Sequence, residues 1–190
     1  MRGPLFSGAV GHRQTLERLA ALVRGRVPVV VLSTVWLAEA LCEVAPVLLV
    51  VDPRRARPAM RARKRSEKAG RELLVASAGE ALPLKQGSAG AIVLDDLADL
   101  EDEDLFSYVP DLVPYLEPGG LLLSLDRTKE PAAESRVAGS FLAGGLLRIG
   151  QERPREGALI TLAAAPTADV VAALKPVSYT HLTLPTNREV

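Results

Sequence analysis

Continuous apolar runs that alternate with helical segments constrain this 190-residue chain most strongly. VPVVVLS (Val27–Ser33) and VLLVVD (Val47–Asp52) are rich in β-branched and aliphatic residues and have no polar residue at alternate positions. Such runs are typical of parallel strands that are buried on both faces. Because helical segments separate them, the sequence predicts an α/β fold in which a parallel sheet is covered by helices on both sides.

The same patterns predict seven strands and five helices. The last two strands are joined by the turn ERPREG, which predicts a hairpin that adds antiparallel strands at one end of the sheet. The predicted strands are Val27–Ser33, Val47–Asp52, Arg71–Ser77, Gly90–Leu97, Leu121–Asp126, Leu146–Gln151 and Ala158–Ala164. The predicted helices are Gly11–Arg24, Trp36–Ala45, Arg54–Gly70, Leu105–Leu116 and Ala132–Ala143.

Composition excludes several classes of protein. The chain has 23 basic and 23 acidic residues and thus no net charge, which argues against binding of polyanions by the chain as a whole. A local basic patch that binds a polyanion is still compatible with this composition. One cysteine, Cys42, and two histidines, His12 and His181, cannot form a disulfide, a cysteine-based zinc site or a His-rich metal centre. We expect no metal, no signal peptide and no membrane span, and therefore a reducing, cytoplasmic setting.

The last residues differ in composition from the rest of the chain. Val177–Val190 holds the only asparagine and three threonines within seven residues, whereas the body of the chain is rich in Arg, Ala and Leu. The string VSYTHLTLPT resembles a translated sequencing adapter, so we expect residues 177–190 to be non-native, with a genuine extended C-terminus as the alternative. The expected organisation is an N-terminal helix at 1–25, a domain at 26–166 and the start of a truncated natural C-terminus at 167–176.

Three motifs carry a resemblance to a known family. LFSYVPDLVPYLEPGGLLLSL (Leu105–Leu125) includes a PGG turn, ALPLKQGSAGAIVL (Ala81–Leu94) includes an LP pair, and VLLVVD ends in an acid. In this order they resemble the class I S-adenosylmethionine (SAM) dependent methyltransferases over residues 11–166. The resemblance implies a Rossmann-like three-layer sandwich with a mostly parallel seven-stranded sheet, a C-terminal antiparallel hairpin, and SAM as the cofactor.

The resemblance also implies where ligands would bind, at the carboxyl ends of the strands. Asp52 would hold the ribose, although an acid before a proline is equally suited to capping the next helix. Asp95 and Asp96 would face the substrate, although they also read as part of a solvated acidic loop. The implied cofactor-binding residues are Ser33, Thr34, Val35, Asp52, Pro53, Gly79, Glu80 and Ala81.

The sequence departs from the family pattern at several ligand positions. The loop after the first strand, VLSTVWLAEAL, has no glycine, and Val31 stands where the family has an acid. Two further family acids are replaced by Ala78 and Gly90. Trp36 could fill the ligand space or anchor its helix to the core, and the second interpretation is favoured. Two functions remain open: methyl transfer from SAM to an unidentified acceptor, or a non-catalytic binding or regulatory module that has lost SAM binding.

A strongly basic segment follows the second strand. Nine basic residues and one acid, Glu67, lie between Arg54 and Arg71. This pattern fits either a contact for RNA, DNA or an acidic protein, or a solvated helix face, and the absence of interleaved aromatic residues favours the solvated face. Cys42 is expected to be a small core residue. The residues placed on one helix face are Arg54, Arg57, Arg61, Lys64, Arg65 and Lys68.

Overall fold

The computed structural model describes residues 9–79, 81–154, 158–167 and 169. Within these residues it contains seven strands and five α-helices, as predicted, with three short 3₁₀ helices at Pro53–Arg55, Leu97–Asp99 and Val113–Tyr115. The strands are β1 Val29–Leu32, β2 Val47–Val51, β3 Leu73–Ser77, β4 Ala89–Asp95, β5 Leu116–Asp126, β6 Leu147–Glu152 and β7 Leu159–Ala164. The helices are α1 Ala9–Val23, α2 Val35–Leu41, α3 Ala56–Lys68, α4 Asp102–Leu112 and α5 Pro131–Ala143.

The seven strands form one sheet in the order β3-β2-β1-β4-β5-β7-β6. The first five strands are parallel, and β7 is antiparallel to both β5 and β6. The predicted Rossmann-like α/β sandwich with a C-terminal antiparallel hairpin is therefore confirmed. The strand order reverses between β1 and β4, and in open α/β sheets a ligand crevice forms beyond the carboxyl ends of the strands at such a point.

Two apolar clusters cover the two faces of the sheet. Successive residues of one strand enter different clusters, as Val29 and Val30 of β1 do, because successive side chains of a strand point to opposite faces. Residues of α1, α2 and α3 complete the first cluster, and residues of α4 and α5, including Phe141, complete the second. Burial on both faces explains why these strands lack polar alternation in the sequence.

The PGG motif differs from the prediction. Residues 118–120 belong to β5 rather than to a turn before it, and the pairing of β5 with β4 shifts register between Ala89 and Ala91. Gly119 has a φ of +78°, and a Cβ on Gly120 would lie 2.8 Å from the carbonyl oxygen of Ala89. The two glycines therefore allow an irregular strand start that residues with side chains would obstruct.

Two helices have different limits from those predicted. α2 ends at Leu41, four residues before the predicted end, because Pro46 disfavours helical backbone at Ala45 and the intervening residues form tight turns. α4 begins at Asp102, three residues before the predicted start. Its first turn contains Asp102, Glu103 and Asp104, whose charges favour a helix N-terminus.

The N-terminal helix packs on the domain. Leu19 and Val23 of α1 are fully buried in the first cluster, and Arg18 of α1 forms an ion pair with Glu152 of β6. Within the described part of the chain, no helix combines the length and apolar character needed to span a bilayer. The expectations for residues 170–190 and for the side chain of His12 fall outside the described residues.

Candidate functional site

The candidate site begins where β1 and β4 end side by side. Val31 pairs with Val93 in the parallel register, so Ser33 and Asp95 lie at equivalent positions just beyond that pair. The Thr34 hydroxyl donates a hydrogen bond to Oδ2 of Asp95 at 3.3 Å. The structure thus brings two residues predicted to bind the cofactor next to a residue predicted to face the substrate.

A cavity of about 400 Å³ opens at this edge, between the strand ends and α4. Four carboxylates border it, two from the end of β4 and two from α4, and Arg127 pairs with the two from β4. Partial burial raises the pKa of Tyr108, which is 37% exposed on the cavity wall. The lining residues are Leu32, Ser33, Leu94, Asp95, Asp96, Leu97, Leu100, Asp104, Ser107, Tyr108 and Asp111.

Asp95 has the most constrained environment in this cavity. Its side chain is 11% exposed, and burial raises the pKa of its carboxyl group, against the opposing effects of Arg127 and Thr34. Its Oδ2 lies 3.6 Å from a guanidinium nitrogen of Arg127. Its Oδ1 is buried and has no hydrogen-bond partner among the described residues. A buried carboxylate oxygen without a donor is costly, and a cationic or N–H-bearing ligand would supply the missing interaction.

Asp96 is held at the rim of the cavity by Arg127. Both carboxylate oxygens of Asp96 accept hydrogen bonds from the Arg127 guanidinium, with Nε at 2.9 Å from Oδ1. Asp96 has a φ of +56°, in the left-handed region that Asp tolerates better than most residues. The chain therefore turns sharply at this point and brings Leu97 back into the second cluster.

A buried carboxylate that sequence reasoning missed supports this turn. Asp126 at the end of β5 is fully buried, and its Oδ1 accepts the backbone N–H of Ala98 at 2.7 Å. Its Oδ2 accepts the hydroxyl of Ser124 at 2.5 Å. Burial raises the pKa of Asp126, and the hydrogen bonds from Ser124 and Ala98 partly oppose that effect. The available signal was the LSLDR string, in which Ser124 and Asp126 share one face of an otherwise apolar strand.

Asp52 lies outside the cavity wall. Its Oδ1 accepts the backbone N–H of Arg54 at 2.7 Å, so it caps the short 3₁₀ helix that starts at Pro53. The capping role predicted as one alternative is confirmed. Asp52 is exposed, and the ribose-binding role stays a prediction.

A second cavity, of about 420 Å³, adjoins the first. The two share Tyr108 and Asp111 of α4, and the second is also bordered by Gly79 and Ala81 from the loop after β3. Leu82, Gln86, Pro110, Leu112, Pro114 and Tyr115 complete its lining. Glu80, the remaining predicted residue of this loop, is outside the described residues.

Trp36 and Val35 are lining residues of neither cavity. Each packs against the first apolar cluster, on the face of the sheet covered by α1, α2 and α3. The interpretation of Trp36 as an anchor of its helix is therefore confirmed, and Trp36 does not line the candidate site. Cys42 is buried, as predicted, with its sulfur 3.4 Å from the Ser66 hydroxyl.

Two of the family acid positions have physical reasons for their residues. Val31 is fully buried in the first cluster, where a carboxylate would be desolvated. Gly90 lies so close to the chain before β1 that a Cβ would come within 2.6 Å of the backbone nitrogen of Val27. Ala78 is exposed, and nothing in the structure requires its small side chain. In the described residues, no group of three or more Cys, His, Asp or Glu has a geometry suited to a metal ion.

Comparison with known proteins supports the fold. The sequence matches no family model and no curated protein. Among solved structures it is similar to human N-acetylserotonin methyltransferase in complex with SAM, with a TM-score of 0.66 and 13% identity over 82% of this chain and 51% of that one. An O-methyltransferase family 2 protein from Planctomyces limnophilus, in complex with apigenin, gives a TM-score of 0.64 and 14% identity over 79% of this chain and 56% of that one.

A third similar structure is an O-methyltransferase family protein from Burkholderia thailandensis, with a TM-score of 0.63 and 14% identity over 81% of this chain and 57% of that one. At these identities the similarity defines the fold alone. The chain therefore has the fold of SAM-dependent methyltransferase structures, and it spans just over half the length of the three proteins compared.

Proposed function

We propose that this chain binds SAM at the carboxyl edge of its sheet and transfers the methyl group to an acceptor that lies against α4. The observation that carries the proposal is the acidic cavity between the ends of β1 and β4, which is lined by Asp95, a residue whose Oδ1 is buried and unpartnered among the described residues. This cavity lies at the reversal of strand order, where ligands of open α/β sheets bind.

The charge of the cavity suits the charge of the cofactor. SAM carries a sulfonium and an ammonium group against one carboxylate, so it is a net cation. Asp95 lies across from Ser33 on the neighbouring strand, next to β1 where the family acid is replaced by Val31. We infer that Asp95, at the end of the strand beside β1, binds the ammonium group in place of the acid that the family has at the position of Val31.

The adjoining cavity suits the nucleoside part of the cofactor. Gly79 and Ala81 leave space beside the loop after β3, and Leu82 adds an apolar surface for a purine. Asp52, beyond the end of β2, has a carboxylate oxygen that can accept hydrogen bonds from ribose hydroxyls while the other caps the 3₁₀ helix. The cofactor would therefore extend from Asp95 toward Ala81.

The chemistry requires positioning more than acid–base catalysis. When bound, SAM supplies an electrophilic methyl group on a positively charged sulfur. The residues of this chain hold the reactants in line and provide a matched negative field, and Leu97 and Leu100 exclude water from one wall. Asp96 and Asp104 line the part of the cavity that we assign to the acceptor. Their carboxylates can orient an amine or a hydroxyl group of the acceptor there.

A second candidate function is a binding or regulatory module that does not use SAM. The observation that favours it is the glycine-free bend after β1, where Ser33 adopts a φ of +65°. Glycine adopts that left-handed backbone conformation without strain and, because it has no side chain, lets a ligand approach the backbone closely. Serine is strained there, and its side chain takes up part of the space. Under this alternative the cavity binds another small cation or a peptide amine.

Calorimetric titration of the full chain with SAM tests the proposal. We expect binding by the wild type and a loss of at least tenfold in affinity for Asp95→Asn, because that change removes the charge and retains the shape of the side chain. The matched control is Glu103→Gln, which removes one negative charge from the exposed start of α4 and does not touch the cavity.

The outcomes separate the two functions. If SAM binds and only Asp95→Asn weakens it, the enzyme proposal stands and can be followed by a methyl-transfer assay. Absence of heat at millimolar SAM would overturn it and support the non-catalytic module. Equal weakening by Glu103→Gln would show that net charge alone attracts the cofactor and that Asp95 has no specific role.

A further inference from the structure

The basic helix α3 carries its charges in a straight line. Five basic residues follow one another at intervals of three, four, three and four, which places the four from Arg57 to Lys68 on one stripe of α3, with Arg54 in the 3₁₀ helix just before it. The stripe runs for about 16 Å from Arg57 to Lys68 at 1.5 Å per residue. We define the α3 stripe as Arg54, Arg57, Arg61, Lys64 and Lys68, all of which are exposed.

The stripe lies opposite the buried face of the helix. Ala59, Ala62 and Ser66 are buried against the sheet and α2, and they fall on the other side of the helix from the stripe. The small residues on the buried side let the helix lie close to the domain. The five charged side chains therefore project away from the protein and can reach a large partner together.

The chain does not neutralise this stripe. Acids of α2 pair with two basic residues outside it: Glu39 accepts two hydrogen bonds from Arg65, at 2.8 and 2.9 Å, and Glu43 lies 3.1 Å from Arg71. Among the described residues, none forms an ion pair with a member of the stripe. The sixth residue that the sequence placed on this face, Arg65, is thus accounted for within the protein.

The stripe is electrostatically unfavourable in the isolated chain. Its members within α3 form three consecutive pairs of like-charged neighbours at spacings of three or four residues, which destabilise a helix. The first turn of α3 contains no acid, although the positive end of the helix dipole favours one there. An anionic partner would relieve both effects, whereas a solvated helix face would usually mix the two signs of charge.

We propose that α3 is a binding surface for the phosphate backbone of a nucleic acid duplex, with the five stripe residues each contacting phosphate. A row of cations on a rigid helix matches a row of phosphates, and binding of this kind needs no contact with bases. α3 has no aromatic residue on which a base of a single strand could stack.

Two features favour a duplex over a lipid surface and give the complex an orientation. A membrane-binding helix needs an apolar face at the surface, and in α3 the only exposed large apolar side chain among the described residues is Met60. Helix α4, whose exposed first turn is acidic, packs through its apolar residues against the other cluster, on the opposite face of the sheet. A polyanion would be attracted to α3 and repelled from α4.

Fluorescence anisotropy with labelled 20-base-pair RNA and DNA duplexes, without SAM, tests this proposal independently of the enzyme proposal. Five phosphate contacts predict a slope of about −4.5 for log K against log salt, or about a 500-fold loss of affinity between 50 and 200 mM salt. The test variant changes Arg57, Arg61, Lys64 and Lys68 to glutamine, which favours helix and should preserve the fold. We expect its slope to fall to about −0.9 and its affinity at 50 mM salt to drop at least 30-fold.

The matched control changes four exposed basic residues outside α3, Arg24, Lys85, Lys129 and Arg148, to glutamine. It has the same net charge as the test variant, and we expect its salt slope to match that of the wild type. Preference for RNA or for DNA would identify the source of the phosphate backbone, and either result supports the proposal. No binding of either duplex at 50 mM salt, equal loss in the control, or tighter binding to phosphatidylserine vesicles than to duplexes would overturn it.

Discussion

Gly90→Ala gives the sharpest test of how the sheet is assembled. Gly90 is buried near the start of β4, and its backbone N–H donates to the carbonyl oxygen of Pro28 at 3.1 Å. A Cβ at this position would lie 2.6 Å from the nitrogen of Val27 and 3.0 and 3.1 Å from two backbone atoms of Arg26. These are main-chain atoms, so no side-chain rotation can make room.

The expected cost follows from that overlap. Overpacking of a buried position costs about 1–3 kcal/mol. The smaller conformational entropy of alanine in the unfolded chain returns about 0.4–1 kcal/mol. We therefore expect Gly90→Ala to lower the free energy of unfolding by about 1–2 kcal/mol and Tm by about 2–8 °C.

Urea unfolding at fixed pH measures the effect as a shift in midpoint at constant slope. The matched control is Gly139→Ala in the middle of α5, where the new Cβ would meet only the Phe106 ring, at an ordinary 3.6 Å. That change should stabilise the protein by about 0.5–1 kcal/mol. If Gly90→Ala were as stable as the wild type, close approach of the backbone would not explain why this chain has a glycine at position 90, where the methyltransferase family that it resembles has an acid.

Two further predictions concern the bend after β1 and the buried acid of β5. Ser33 has a left-handed backbone conformation, which costs an L-residue about 1–2 kcal/mol, and Ser33→Gly relieves that strain. Glycine also loses more conformational entropy on folding, at a cost of about 0.5–1 kcal/mol. Urea unfolding should therefore show that Ser33→Gly raises the free energy of unfolding by between zero and about 1 kcal/mol. Ser33→Val should destabilise, and the opposite ranking would contradict the strain argument. Because burial raises the pKa of Asp126 above its unfolded value of 3.8, the folded state binds the extra proton, and the stability of the wild type relative to Asp126→Asn should fall as pH rises from 4 to 7. A stability difference that grows with pH in urea titrations would contradict the buried, weakly acidic state of Asp126.

The fold followed from the sequence because its main signals are local. Runs such as Val47–Asp52 are apolar without alternation, and that pattern has few other structural explanations in a chain of this length. The limits of α2 and α4 were predicted less well. Pro46 acts on the residue before it, and the acids at Asp102–Asp104 stabilise a helix start that apolar periodicity does not mark.

The candidate site was predicted only in part, because it depends on pairings between distant segments. Ser33 and Asp95 were named separately, and only the parallel register of β1 with β4 shows that they are neighbours. Arg127 and Asp126 were missed because their partners, Asp96 and Ala98, lie about 30 residues earlier in the chain. The α3 stripe was visible in the sequence, but the pairing of Arg65 with Glu39 and the absence of ion pairs to the stripe among the described residues were not.

A crystal structure of the full chain grown with saturating SAM tests the central claim most directly. The account predicts electron density for SAM across the two adjoining cavities, with its ammonium group within hydrogen-bond distance of Oδ1 of Asp95 and its adenine beside Ala81. Empty cavities at a SAM concentration of several millimolar, or SAM bound with Asp95 still unpartnered, would contradict it.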